Sequence, residues 1–164
     1  MALQSVLVTD TNIWIDLENG GILAEVFQLP YQFLISDFAI LELIRPRWET
    51  LEVLGLRTYE LPAEQVLELF QLRQAYRNLS MIDLAAFLLA KILDATLVTG
   101  DWRLSELANA SGLSVHGALW ILDEMVHFKA LTLGHAASAL KRMLNLGARL
   151  PAEECRNRLT KWSK

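Results

Sequence analysis

The chain opens on a short apolar run, Val6-Leu7-Val8, with none of the polar alternation of a half-exposed strand, and it stops abruptly at Thr9-Asp10. Such a run reads as a strand buried on both faces of a parallel sheet, with Asp10 at its carboxyl edge. Thr11 and Asn12 then begin a helix that Gly20-Gly21 breaks, and Ile22, Leu23, Val26 and Phe27 predict a short helix ending near Pro30. Phe33-Leu34-Ile35 is a second buried strand. Ser36 stands as N-cap to a helix over Asp37 to about Arg45, with Pro46 as its stop. A helix from Trp48 leads to Arg57-Thr58-Tyr59-Glu60-Leu61, whose alternation fits an edge strand. Pro62 opens the next helix, with Val66, Leu69, Phe70 and Leu72 or Arg73 as its apolar stripe. Ser80 caps another, running through Leu84, Phe87, Leu88 and Ile92 to a turn at Asp94. Thr96-Leu97-Val98-Thr99-Gly100-Asp101 then repeats the opening theme of a buried strand ending in Asp. A helix from Trp102 to about Ala110, a stop at Gly112 and a strand Leu113-Ser114-Val115 complete the alternation.

Strands alternating with helices predict an α/β fold: a mostly parallel central sheet with helices on both faces. From Gly117 the pattern is wholly helical. Leu133, Ala137, Leu140 and Leu144 recur at helical spacing up to Gly147, and Cys155, Leu159 and Trp162 share a face of a last helix opened by Pro151. The expected organisation is an α/β domain over residues 1–116 and a helical extension over 117–164 packed on it. No linker rich in Gly, Ser or Pro separates them.

At 164 residues, 53% hydrophobic and 21% charged, the chain has the composition of a compact globular protein rather than a disordered one. No apolar run is long enough to span a bilayer, and Met1-Ala2-Leu3-Gln4 lacks the charged start of a signal peptide, so a cytoplasmic location is expected. Cys155 is the single cysteine, which excludes an intramolecular disulfide and a thiolate zinc site. The net charge of −4 argues against a nucleic-acid partner until its distribution is considered. Residues 141–164 hold seven of the fifteen Lys and Arg against two acids, a local +5, which leaves −9 on the first 140 residues. Two readings stay open for this basic stretch: a solvated tail, or a backbone-binding surface beside a cluster of acids that binds cations.

Four acids stand out. Glu42 lies within Phe38-Ala39-Ile40-Leu41-Glu42-Leu43-Ile44, where an ionised carboxylate is costly unless compensated. Its plainer alternative is an outward-facing residue paired with Arg45. Asp83 completes a capping-box pattern with Ser80, which also fixes the direction of a carboxylate. Asp101 repeats the strand-end position of Asp10. If the two strands are neighbours, their ends lie about 5 Å apart. Carboxylates so gathered repel one another, and hard oxygen donors in that number suit Mg²⁺ or Mn²⁺ and in-line hydrolysis of a phosphodiester.

At these residues the chain resembles a PIN-domain ribonuclease of the type found as the toxin of toxin–antitoxin pairs. The resemblance rests on Val8-Thr9-Asp10-Thr11-Asn12, on Ser36-Asp37-Phe38-Ala39-Ile40-Leu41-Glu42-Leu43, on Leu79-Ser80-Met81-Ile82-Asp83 and on Leu97-Val98-Thr99-Gly100-Asp101, and covers about residues 3–116. It implies a three-layer α/β/α fold, with Asp10, Glu42, Asp83 and Asp101 as catalytic, metal-binding acids. It further implies Mg²⁺ or Mn²⁺, single-stranded RNA as substrate, a homodimer, and a small antitoxin protein covering the acidic pocket. Thr11 and Asn12 would steady the first Asp, and Thr99 the fourth. Arg45, Arg103 and Trp102 are candidate RNA contacts. The chain departs from some members in the turn after the fourth acid, which reads Trp102-Arg103-Leu104-Ser105 with Glu106 as the nearest further acid. Its helical tail also exceeds the usual small toxin.

Other residues carry weaker signals. His116, His127 and His135 share no spacing that would set them on one helical face with a carboxylate. Trp14, Trp48, Trp102 and Trp120 read as core or helix-junction residues, with Trp102 alternatively a pocket wall that stacks a base. Two other functions fit less well. A haloacid-dehalogenase-like phosphatase resembles Asp-x-Asp after the first strand, where this chain has Asn12. A PIN-like module that binds RNA or a partner without cutting would not need four intact acids.

Overall fold

A computed structural model describes residues 5–164; Met1 to Gln4, read above for the absence of a leader, lie outside the described residues. The elements in chain order are β1 (Ser5–Thr9), α1 (Thr11–Asn19), α2 (Leu23–Val26), β2 (Tyr31–Ser36), a 3₁₀ helix (Asp37–Glu42), α3 (Trp48–Leu54), β3 (Arg57–Tyr59), α4 (Ala63–Ala75) and α5 (Met81–Leu93). They continue with β4 (Thr96–Val98), α6 (Trp102–Ala110), β5 (Val115–His116), α7 (Ala118–His127), α8 (Leu133–Asn145) and α9 (Ala152–Trp162). The five strands form one all-parallel sheet in the order β3-β2-β1-β4-β5.

Both faces of the sheet are covered, which is why β1 and β4 are apolar without alternation. Successive side chains still point to opposite faces. Leu7 and Val98 enter one core with Trp14, Ile35, Leu122, Leu140 and Trp162. Val8 and Leu97 enter the other with Leu69, Leu84, Leu88 and Leu104. Helices α4, α5 and α6 therefore form one outer layer, and α1, α2, α3 and the C-terminal helices the other. The tail is fastened by more than apolar burial. Arg158 on α9 donates to both carboxylate oxygens of Asp123 on α7, at 2.9 and 2.7 Å. The Tyr31 hydroxyl on β2 donates to Glu124 on α7. Gly20 and Gly21 let α8 close on α1: a Cβ on Gly20 would stand 3.1 Å from the Met143 side chain, and Gly21 has φ +72 with Arg142 2.8 Å from its Cβ position. Among the described residues no helix is long and apolar enough to cross a membrane.

Five sequence expectations need correction. The helix expected from Asp37 to Arg45 is a 3₁₀ helix that ends at Glu42, and Ser36 makes no capping bond. The segment is held to the core through Ala39 and then Leu43, so Leu41 and Ile44 remain 90% and 80% exposed. Glu42 is consequently exposed, not enclosed in an apolar shell. The last strand is Val115–His116 rather than Leu113–Val115, because the register that pairs Leu97 with Val115 and Val98 with His116 fixes it there. On α4 the buried stripe centres on Leu69, and Phe70 faces outward. On α8 the buried face is Ala136, Ala137, Ala139, Leu140 and Met143, with Leu144 partly buried beside it, and of the expected stripe only Leu133, in the first turn, is exposed.

Trp14 ties β1 to α1. It is fully buried, stacks on Phe27 at 5.3 Å, meets Phe33 edge-on at 5.6 Å, and its indole N–H donates to Thr9 Oγ1 at 2.7 Å. Trp14→Ala should cost about 3–5 kcal/mol through the cavity it leaves. Trp14→Phe should cost about 1–3 kcal/mol, mainly through the lost hydrogen bond. Urea unfolding followed by circular dichroism checks both; a Trp14→Phe protein as stable as the unaltered chain would show that the hydrogen bond contributes nothing beyond packing.

Candidate functional site

The sheet order runs outward from β1 in both directions, to β2 and β3 on one side and to β4 and β5 on the other. The carboxyl ends of β1 and β4 thus flank the point where the winding reverses, the position at which open α/β sheets form a crevice. Asp10 follows directly on β1 and extends the ladder by one bond, its N–H donating to Val98 O at 3.1 Å. Its side chain caps α1, with Oδ1 accepting from the Ile13 N–H at 3.0 Å. Its other oxygen accepts from the Thr99 hydroxyl across the strand pair. The Asp10 carboxyl is buried, and burial pushes its pKa up to about 6, with the nearby charge of Asp83 adding to the rise and the Thr99 and Ile13 bonds opposing it.

Thr99 joins Asp10 to Asp101. While its hydroxyl donates to Asp10, its Oγ1 accepts the N–H of Asp101 at 3.1 Å. Asp101 then caps α6, its Oδ1 accepting from the N–H groups of Arg103 and Leu104 at 2.8 and 3.3 Å. Asp83 sits in the first turn of α5 in a complete capping box: its N–H donates to Ser80 Oγ at 3.0 Å, and its Oδ2 accepts the Ser80 N–H at 3.1 Å. Three of the acids therefore lie at the N-termini of α1, α5 and α6, where the helix dipoles favour negative charge. Glu42 joins from the 3₁₀ helix, its Oε2 accepting from the Thr11 hydroxyl at 3.1 Å.

The supporting residues differ in part from the sequence reading. Thr11, expected to steady Asp10, is bonded to Glu42, and Asp10 is held by Thr99 and the Ile13 N–H. Asn12 instead lines a recess of about 420 Å³ with Asp16, Asn19, Gly100, Asp101 and Arg149. Asp16, Asn12 and Asn19 fall on one face of α1, a polar spacing visible in the sequence but not used there. Burial raises the pKa of Asp16. Asp16 is thus the further acid in the recess of Asp101, and Glu106 lies outside it, in the neighbouring clefts beside Trp102. Trp102 is no core residue: it is 63% exposed, with the Arg103 guanidinium 5.6 Å from its ring. Arg45 makes a loose pair with Glu18, not Glu42, at 3.8 Å. His116 is stacked on Trp120 at 4.1 Å, and burial lowers its pKa.

Whether these residues suit a divalent cation rests on their chemistry. All four are carboxylates, the hard oxygen donors that Mg²⁺ and Mn²⁺ prefer. None takes part in the three ion pairs formed by the described residues, and the burial that chiefly raises the Asp10 pKa is joined by the charge of Asp83. Asp83, Asp101 and Glu42 each commit one oxygen to a fixed donor and keep the other outside that bond. The fit is one of donor type and charge. As they stand, no three His, Cys, Asp or Glu side chains among the described residues are grouped closely enough to hold a metal ion.

The buried charge of Asp10 gives the metal-free protein a pH signature. Its folded pKa of about 6 lies above the ordinary 3.8, so between those values the folded chain holds a proton that the unfolded chain has lost. Stability should therefore fall as pH rises from about 4 to about 6, and above that range carry a constant penalty on the order of 3 kcal/mol. Asp10→Asn, in EDTA, should stabilise the fold by about 1–3 kcal/mol near pH 8 and by much less near pH 4. Urea unfolding at the two pH values is the check, and a gain independent of pH would contradict the buried-charge account.

The PIN-domain family model DUF3368 matches residues 6–164, a span that includes the C-terminal helices as well as the sheet. No curated protein matches the chain. Among solved structures, a PilT N-terminus domain protein from the hyperthermophilic archaeon Sulfolobus solfataricus superposes with a TM-score of 0.54 at 15% sequence identity, over 74% of this chain and 93% of that one. At that identity the likeness is one of fold. PIN domains are generally nucleases and typically use divalent metal ions. With a matching family model over nearly its whole length and a five-stranded parallel sheet carrying acids at its carboxyl edge, the chain belongs to the PIN-domain family.

Proposed function

We propose that the protein is a metal-dependent endoribonuclease that hydrolyses phosphodiester bonds of single-stranded RNA with Mg²⁺ or Mn²⁺, acting as the toxin of a toxin–antitoxin pair. The observation that carries the reading is the unit formed by Asp10, Thr99 and Asp101 at the reversal point of the sheet, with Asp83 close enough for its charge to act on Asp10. Asp10, Glu42, Asp83 and Asp101 would hold the ion, which when bound supplies Lewis-acid polarisation of the phosphate and a more acidic water. The chain's own residues do the positioning. Thr99 fixes the direction of the Asp10 carboxylate and the backbone of Asp101 together. The Ser80 capping box fixes Asp83, and Thr11 holds Glu42.

The surroundings of the acids support single-stranded RNA as the substrate. Exposed Trp102 offers an aromatic face to an unpaired base, and Arg103 beside it a charge to a phosphate. Arg45, mostly exposed and loosely paired, is free to exchange Glu18 for a phosphate. The toxin role brings a small antitoxin protein that covers the acids. Exposed Leu41 and Ile44 flank Glu42 and suit such contact, and exposed Leu67 and Phe70 on α4 suit a second copy in a homodimer.

The test is cleavage of a labelled single-stranded RNA with EDTA, Mg²⁺ or Mn²⁺. Cutting should require the metal and fall about a hundredfold or more in Asp10→Asn and Asp101→Asn proteins shown to be folded. Activity that survives EDTA, or persists in Asp101→Asn, would refute the reading; release of phosphate from a monoester would favour a phosphatase instead. Expression in a host cell should arrest growth for the unaltered chain and not for Asp10→Asn.

A further inference from the structure

The linker between α8 and α9 brings the C-terminal helices to the acids. Arg149 in that linker, together with Gly100, borders two concavities at once. On one side is the recess with Asn12, Asp16 and Asp101. On the other is a cleft of about 620 Å³, lined by Leu150 and Pro151 together with Trp102, His116 and Trp120. The two concavities differ in character. The recess is lined by acids and amides, whereas the cleft has aromatic walls with Glu106 and Asn109 at its rim.

The cations beside this cleft are unequal. Arg158 is committed to both oxygens of Asp123. Arg149 is exposed and takes part in none of the ion pairs among the described residues. A guanidinium left unpaired beside carboxylates is placed for a phosphate, which it can bind through two parallel hydrogen bonds. His116 and Trp120 are stacked face to face, 9° apart at 4.1 Å, so the pair offers a further ring only the outer face of the stack. Burial lowers the His116 pKa, so the ring is neutral at pH 7 and presents an uncharged face. An aromatic stack and an exposed Trp lining one cleft, with amide and carboxylate groups beside them, are what a single unstacked nucleobase needs.

We propose that this cleft is a nucleotide subsite of the nuclease: the base next to the phosphate held at the acids enters the cleft shared by Trp102 and the His116–Trp120 stack, while Arg149 takes the adjoining phosphate. The inference rests on the nuclease reading of the acids. It makes the C-terminal helices part of the substrate site as well as a cover for the sheet. It also locates the useful part of the tail's basic charge at one residue.

The test compares Arg149→Glu, Trp102→Ala and, as a charge control, Lys91→Glu at the end of α5 opposite Asp83. Binding of a fluorescein-labelled single-stranded RNA is followed by anisotropy in EDTA at several salt concentrations, and cleavage is followed with metal. Arg149→Glu should weaken binding about tenfold or more and reduce the salt slope by about 0.7 or more. Trp102→Ala should weaken binding by about tenfold with the slope unchanged. In cleavage both should raise KM more than they lower kcat, and Lys91→Glu should do neither. Both altered side chains are exposed, so unchanged melting temperatures confirm that the variants fold. If the unaltered chain cuts RNA and Arg149→Glu matches Lys91→Glu in binding and KM, the subsite is refuted and the nuclease reading stands. If the chain binds RNA through Arg149 and Trp102 but cuts nothing with any metal, the nuclease reading fails and the cleft remains as a binding site.

Discussion

Asp10 is a carboxylate taken out of water at the junction of two central strands, and the surrounding structure is arranged to keep it there. Its position in the ladder leaves no freedom to swing into solvent, since its N–H is bonded to Val98 and its side chain is held from both sides by Thr99 and Ile13. Those bonds oppose only part of the desolvation cost, and Asp83 adds repulsion. A stability-optimised sheet would not keep such a group, so the arrangement costs folding free energy in the absence of a bound cation.

The same economy governs the other acids. Asp101 and Asp83 perform ordinary structural work as helix caps while offering a second oxygen to the edge of the sheet. Capping fixes a short side chain in one direction without any further scaffold. It also explains why the acids do not already form a closed ligand set: their present partners are backbone N–H groups and, for Asp10 and Glu42, the Thr99 and Thr11 hydroxyls.

The C-terminal helices are integrated with this edge. They share a core with β1, β2 and α1, and the Arg158–Asp123 and Tyr31–Glu124 contacts fix α7 and α9 to each other and to the sheet. The linker that carries Arg149 is therefore held by packing on both sides. That the PIN-domain match runs to the last residue agrees with a tail that belongs to the domain.

The sequence by itself determined the element types, because buried parallel strands, capped helices and glycine stops are local signals. β1, β4 and the Ser80 cap were all legible from neighbours in the chain. So were the four acids, each of which ends a strand or begins or ends a helical turn. What failed were readings that depend on which way a side chain faces. Glu42 looked enclosed because its neighbours are apolar, but a 3₁₀ segment anchored at Ala39 and Leu43 leaves the residues between them in solvent. Thr11 looked like a support for Asp10 because it is adjacent in sequence, whereas helix geometry turns its hydroxyl to Glu42. Only the tertiary structure decided that β1 and β4 are neighbours, that Thr99 serves both strand-end acids, and that Arg149 and Asp16 line one recess with Asp101. Those contacts join residues dozens of positions apart, and they exist only because packing both faces of one sheet brings distant loops to the same edge.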